Sequence, residues 1–275
     1  MQADLFDNET KRYPAKLYRG DCLDLMDSLS NLDVIVTSPP YNLDIKYRSY
    51  KDSRSRDEFL NWMSNVAKSM KTCLKESGSL FLNVGSSNKD PWIAFDIANQ
   101  FRSHFVLQNN IVWVKSHTTK YKDIGEINFG HFKPINSKRY SNHLFEHVFH
   151  FTKNGDVHVD RLALGAAYTD KSNSKRWKSA GDKRCRGNIW CIPYETIKSR
   201  DKDRGGHPAT FPPQLAEWAI RFHGLKNGML VYDPFVGTGS SLVAAYQLGA
   251  MGIGSDLDDE YLKMAEKRLP EYVYV

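Results

Sequence analysis

Apolar positions along the chain follow two rhythms, short continuous runs and stretches of helical period, and their alternation marks an α/β sheet protein. Residues 16–18 read as a short strand, 23–29 as a helix and 32–37 as a buried strand. Residues 56–74 carry the spacing of a long amphipathic helix closed by Ser77-Gly78, and 79–84 follow as a strand. A helix over 92–102, a strand over 110–115 and a strand over 147–152 come next, the last followed by the turn signal Asn154-Gly155. Regularity returns with helices at 213–223, 240–248 and 259–269, and with strands at 229–232 and 252–255. Between Ser116 and His207 the pattern instead decays into loops rich in Lys, Ser, Asn and Gly, apart from the one strand. Long irregular stretches inside compact proteins are usually functional or disordered. The expected organisation is a core begun by residues 1–115, a recognition region at 116–206, and a return to the core at 207–275.

Composition changes little in this picture. The 275 residues are 41% hydrophobic and 25% charged, ordinary for a globular protein with a sizeable core. No apolar run is long enough to cross a membrane, and the first residues lack the basic-then-apolar layout of a secretory signal. Cys22, Cys73, Cys185 and Cys191 match neither a CxxC pair nor a usual zinc spacing. His147 and His150 read as structural, so no metal is expected. These features point to a reduced, cytoplasmic protein with no membrane partner.

Charge is more informative. The formal net charge is +6, but residues 115–206 hold 19 Lys and Arg against 10 Asp and Glu, leaving the rest of the chain slightly acidic. Within them, residues 171–186 carry seven positive charges and one negative, interleaved with Trp177 and flanked by Tyr168 and Trp190. Most charge runs are solvated faces. Cations mixed with aromatics, however, also suit phosphates and bases. The candidate contacts are Lys175, Arg176, Lys178, Lys183, Arg184 and Arg186.

Two turns carry candidate chemistry. Asp233-Pro-Phe235-Val-Gly237-Thr238-Gly239-Ser240 follows a strand and opens a helix, and Asp256 lies 19 residues past Gly237 at the end of the next strand. Glycines there allow a sharp turn and close approach of a ligand, and an acid at that distance suits ribose hydroxyls. The spacing is not GxGxxG, and Asp233 would repel a pyrophosphate but attract an ammonium. The ligand inferred is an adenosine with a cationic amino-acid tail, S-adenosylmethionine. Too few residues follow Asp256 to supply the strand that closes an adenine pocket. Leu17-Tyr-Arg-Gly-Asp21-Cys22 has the right form, with Asp21 accepting from the adenine amine and the Cys22 amide donating to the ring. The expected sheet is therefore Rossmann-like and circularly permuted.

The second turn is Thr37-Ser38-Pro39-Pro40-Tyr41, at the end of a buried strand. Two prolines freeze the turn. Ser38 Oγ and the Pro39 carbonyl are then placed to accept both hydrogens of an exocyclic amine, and Tyr41 offers a face for stacking. With Gly20-Asp21, His207-Pro-Ala-Thr-Phe211-Pro212-Pro213 and Asp256 with Tyr261, these motifs make the chain resemble the DNA amino-methyltransferases that use S-adenosylmethionine, in the permuted group where the catalytic motif precedes the cofactor loop.

The resemblance spans nearly the whole chain and implies roles. Asp233 and Thr238 would meet the methionine tail, Phe235, Gly237 and Gly239 would line the cofactor, and Asp256 would hold the ribose. Phe211 and Pro212 would lie against the cofactor, and the basic segment would recognise double-stranded DNA. A cognate restriction endonuclease and a homodimer are the further partners to consider. A Ser at the first motif position is commoner among N4-cytosine enzymes, whereas Tyr41-Asn42-Leu43 resembles N6-adenine enzymes. The reading favours N4 of cytosine, with N6 of adenine as the alternative and a non-catalytic DNA-binding protein more remote.

Overall fold

A computed structural model describes residues 11–43, 52–122, 125–130, 136–168, 182–194 and 210–275. Its centre is a nine-stranded sheet. In chain order the strands are β1 (Ala15–Arg19), β2 (Leu32–Thr37), β3 (Leu74–Val84), β4 (Val106–Val114), β7 (Phe145–Thr152), β10 (Ile189–Cys191), β11 (Leu230–Asp233), β12 (Met251–Asp256) and β13 (Tyr272–Tyr274). Their spatial order is β10-β4-β7-β3-β2-β11-β12-β1-β13, and every pairing is parallel except those made by β7. β5 (His117–Tyr121) and β6 (Gly125–Phe129) form a separate hairpin, and β8 (Ala166–Ala167) pairs with β9 (Lys183–Arg184).

The helices cover both faces. α1 (Cys22–Met26), α2 (Arg56–Cys73) and α3 (Ile93–Arg102) pack on one side, with Phe59, Met63, Ile97 and Phe101 in that core. α4 (Pro213–Gly224) and α5 (Ser240–Gln247) pack on the other with Leu215, Ile220 and Ala244. α6 (Asp259–Arg268) seals a smaller cluster with Leu17, Val236 and Leu242. Central strands buried on both faces explain the unbroken apolar runs in the sequence.

The permutation expected from the motif order is present. β1 lies beside β12 in parallel, with Arg19 opposite Asp256, and the Gly20 amide donates to the Asp256 carbonyl at 3.1 Å. β13 then adds to the outer edge of β1, so the described ends of the chain meet in one sheet. This last strand went unread in the sequence because Tyr272, Val273 and Tyr274 are exposed and show no burial alternation.

Three local expectations need correction. α2 matches the expected 56–74 to within one residue, but Ser77-Gly78 does not close it. It ends at Cys73 and the chain passes directly into β3, because Leu74 is buried and pairs with Leu32 before a register shift. Gly78 serves that irregularity, since a Cβ there would lie 2.7 Å from the Leu74 side chain. The first helix is also shorter than expected, ending at Met26. Finally, Trp190, read as an aromatic among nucleic-acid contacts, is 1% exposed and packs against Trp218 and Phe222. Strand alternation turns it inward while Ile189 and Cys191 face out.

Candidate functional site

The carboxyl ends of the adjacent strands β2, β11, β12 and β1 open into one cavity of about 1050 Å3, counting the solvent space at its mouth. Parallel α/β sheets place ligands at this edge. From the strand tips come Ser38, Pro39, Pro40 and Tyr41 on one side, and Phe235, Gly237, Thr238 and Ser240 in the middle. Asp256, Asp21 and Cys22 line the other end, and Phe211 and Tyr261 also line the cavity. The two motifs, about 200 residues apart in sequence, thus share one chamber.

The middle loop is shaped by its glycines. Gly237 has φ 49° and Gly239 φ 80°, left-handed conformations that side chains with a Cβ rarely adopt. A Cβ on Gly239 would also lie 2.9 Å from the Ala265 Cβ of α6. The Gly237 amide donates to Asp256 Oδ2 at 2.9 Å, and the Asp258 amide to Oδ1 at 2.9 Å. Burial outweighs these bonds and pushes the Asp256 carboxyl up to about 6. At the back of the loop the Arg268 guanidinium donates to the Thr238 carbonyl at 2.7 Å and to Thr238 Oγ1 at 3.0 Å. Asp21 caps α1, accepting from the Leu23 amide at 2.9 Å.

Asp233, Pro212 and Gly239 do not line the cavity. Asp233 is buried, and its carboxylate accepts from Thr37 Oγ1 at 2.6 Å, Ser241 Oγ at 2.5 Å and the Phe235 amide at 3.1 Å. Its oxygens tie the end of β2 to the glycine loop and the start of α5. Burial raises this carboxyl to about 6. Pro212 is the N-cap of α4, and Gly239 is the N-cap of α5.

The Ser38–Tyr41 turn rests on groups distant in sequence. Ser38 Oγ and the Tyr41 hydroxyl lie 2.7 Å apart. Asn83 Nδ2 donates to the Tyr41 hydroxyl at 3.0 Å and to Glu146 Oε2 at 2.6 Å, and Lys115 Nζ pairs with Glu146 Oε1 at 2.8 Å. Burial first, and the Glu146 charge second, hold the Tyr41 phenol well above its ordinary range. After the turn, Asn42 takes the left-handed conformation (φ 56°), and Asp52 accepts from the Asn42 and Leu43 amides at 2.8 and 3.0 Å. Asn42 Oδ1 accepts from the Arg54 amide, and the Arg54 guanidinium lies 4.8 Å over Trp62. Arg54 and Trp62 line the cavity, and Trp62 meets Phe235 edge-on.

Asn83, Glu146, Lys115, Arg54 and Trp62 were not singled out from sequence. The available signal for Glu146 was an acid set between aromatics at the head of a strand. Of the basic candidates, Lys183 and Arg184 are exposed on β9. Arg186 donates to the Leu164 carbonyl at 2.9 Å and stacks over Trp218 at 4.8 Å. Lys175, Arg176 and Lys178, and the first three residues of the His207 motif, lie outside the described residues. Among the described residues no cluster of metal-ligating side chains is found, and no helix is long and apolar enough to cross a membrane.

Residues 32–267 match the model of the N6/N4 methyltransferases, a family of DNA methylases. Two relatives are the type II methyltransferase M.BglII of Bacillus subtilis and the DNA adenine methyltransferase YhdJ of Escherichia coli K12. The first is 25% identical, over 93% of this chain and 69% of the relative. The second is 24% identical, over 96% and 84%. The fold is that of the cytosine-N4-specific PvuII DNA methyltransferase (TM-score 0.68, 20% identity, 94% of this chain and 89% of that one). It is also that of the Thermus thermophilus modification methylase TTHA0409 complexed with S-adenosyl-L-methionine (TM-score 0.59, 23% identity, 94% and 96%).

Proposed function

Because the chain belongs to the N6/N4 family of DNA methylases, we propose that it moves a methyl group from S-adenosylmethionine to an exocyclic amine of a base flipped out of double-stranded DNA, with N4 of cytosine as the favoured atom. The observation that carries this reading is the shared chamber, in which the glycine loop and Asp256 stand beside the Ser38–Tyr41 turn. The complex of TTHA0409 supports the choice of cofactor. When bound, that cofactor supplies a methyl group already activated on a sulfonium.

The chain's own residues bind, align and shield. Each Asp256 oxygen accepts one amide and keeps a lone pair for a ribose hydroxyl. Asp21, whose carboxylate caps α1, is placed at the cavity to accept from an adenine amine. Phe211 and Phe235 give apolar walls, and Trp62 continues the wall toward the turn. Asp233 acts one step back, holding the loop and the end of β2 in register, while Thr238 faces the methionine tail. Extruding the base costs a few kcal/mol of stacking and pairing. Stacking on Tyr41 returns roughly 1–3 kcal/mol of it. Ser38 Oγ and the Pro39 carbonyl then hold the two amine hydrogens, so that the nitrogen lone pair faces the methyl carbon. Such alignment accounts for much of the rate.

The preference for cytosine rests on Ser38 and is supported by the specificity of the PvuII enzyme. YhdJ supports the adenine alternative. The Asn42 that resembles adenine enzymes has a local explanation here, since it occupies a left-handed turn position that Asn tolerates well. Residues 116–206 are the proposed recognition region, supported by their charge and by the exposure of Lys183 and Arg184. The type II relative supports a role beside a restriction endonuclease.

The test is incubation with S-adenosylmethionine and mixed-sequence duplex DNA, followed by digestion and mass spectrometry of the nucleosides. N4-methylcytosine is expected, and N6-methyladenine would replace the base assignment while keeping the mechanism. Neither product, with the cofactor still bound, would overturn the substrate. Ser38→Ala should reduce turnover by roughly 100-fold with cofactor affinity intact, as for loss of one positioned hydrogen-bonding group.

A further inference from the structure

Underneath the Ser38–Tyr41 turn, four polar side chains form a chain that ends on a charge. It runs from Ser38 Oγ to the Tyr41 hydroxyl at 2.7 Å, then to Glu146 Oε2 at 3.4 Å, with Asn83 Nδ2 bridging the last two. Glu146 stands on β7, the strand antiparallel to β3, and this reversal brings the head of β7 to the same sheet edge as the tips of β2 and β3. Its other oxygen is paired with Lys115, at the end of β4. Gly85 leaves room for it, since a Cβ there would lie 3.0 Å from the Glu146 side chain.

Hydrogen counting gives this chain a direction. Ser38 and Tyr41 each own one hydroxyl hydrogen, so between them one donates and the other accepts. If Tyr41 donated to Ser38, a lone pair of Ser38 would be used and the Ser38 hydrogen would be released toward other partners. If Ser38 donates to Tyr41, it gives Tyr41 no lone pair, and only the long contact from Asn83 Nδ2 at 3.5 Å competes with an amine for them. The remaining neighbours of the Tyr41 hydroxyl decide between these states. The Asn83 carbonyl at 3.2 Å and the Glu146 carboxylate at 3.4 Å can only accept. Asn83 Nδ2 can only donate, and its orientation is itself fixed by Glu146, because the flipped amide would set Oδ1 against a carboxylate oxygen. The Tyr41 hydrogen is thus drawn away from Ser38, and the Tyr41 oxygen is left to accept.

We propose that Glu146 is a positioning residue that orients the Tyr41 and Ser38 hydroxyls so that Ser38 presents lone pairs, not a hydrogen, to the target amine. This rests on the reading of Ser38 as the amine acceptor and extends it to a residue 108 positions away in sequence. Glu146 touches neither substrate nor cofactor in this account. Its charge fixes the polarity of a hydrogen-bond chain, and Lys115 holds the carboxylate in place.

The test is a double-mutant cycle on the full chain, read as kcat, KM for DNA and cofactor Kd. Glu146→Gln keeps the shape but adds an amide donor facing Tyr41. It is expected to lower kcat by roughly 10- to 100-fold, the range of a hydrogen bond to a charged group, with cofactor Kd and KM for DNA little changed. In a Tyr41→Phe background the chain is already cut, so the same substitution is expected to cost less than about threefold further. Equal losses in both backgrounds, an unchanged kcat in Glu146→Gln, or a loss confined to cofactor binding would each overturn the proposal. Should Glu146→Gln alone fail to fold, the pair Glu146→Gln with Lys115→Met, which removes both charges, takes its place in the cycle. Failure of the underlying reading is distinct, because Ser38→Ala would then keep its turnover, or the unaltered chain would form no methylated base at all.

Discussion

The two ends of the chamber are built in different ways. The glycine loop is local: Asp233, Phe235, Gly237, Gly239 and Ser241 lie within nine residues, and their bonds run to each other or to neighbouring strand tips. The amine-holding turn is local only in the atoms that would meet the amine. Its polar support comes from Asn83, Lys115 and Glu146, contributed by β3, the end of β4 and β7. A ligand that many proteins bind with backbone amides needs mostly a backbone shape. Orienting one amine hydrogen bond requires side-chain hydrogens with a defined direction, and that direction is set from further away.

If this division holds, the two ends should fail separately. Gly237→Val forces a β-branched residue into a left-handed conformation and disturbs the amide that donates to Asp256. Strain of this kind costs up to about 3 kcal/mol, so cofactor affinity measured calorimetrically should fall by roughly 100-fold. The Ser38 and Glu146 variants should leave that affinity unchanged. A shared loss of cofactor binding would show that the chamber acts as one unit.

Asp233 links the ends and should reveal itself through pH. Its carboxyl is raised by burial from 3.8 to about 6 in the folded state. Between about pH 4 and pH 6 the folded chain therefore holds a proton that the unfolded chain has released, and stability falls as pH rises through this window. A shift of about two units corresponds to roughly 3 kcal/mol lost above the window. Urea unfolding at both ends of the window should show a smaller fall in Asp233→Asn, the remainder coming from Asp256, whose carboxyl is raised in the same sense. An identical fall in variant and parent would mean that Asp233 remains ionised throughout.

The same division explains what could be read from the sequence. Strand β2 was legible to the residue, because a run buried on both faces has no competing pattern. The permuted order was legible because motifs on either side of it retain their local form. β10 was lost in a loop-rich segment, being three residues long with only Trp190 buried. Asp233 was visible, but its sequence position does not reveal that Thr37 and Ser241 donate to its oxygens. Glu146 was invisible in its role, since nothing near it in sequence indicates that β7 runs antiparallel and brings it under Tyr41.

Within the basic stretch, the contrast separates near neighbours and yields the smallest expected effect. All three side chains are exposed, Lys183 and Arg184 on β9, but Arg186 is also held by the Leu164 carbonyl and lies on the Trp218 ring. Sequence alone treats the three alike. Each phosphate contact contributes about 0.9 to the slope of log affinity against log salt. Lys183→Ala with Arg184→Ala should therefore flatten that slope by up to about 2 and weaken DNA binding a few-fold at moderate salt. Arg186→Ala should leave the slope unchanged and lower the melting temperature instead, because its stem and guanidinium cover Trp218 and a carbonyl loses its donor. A flattened slope in Arg186→Ala, with none in the double variant, would reverse the assignment and make the stacked arginine the residue that meets DNA.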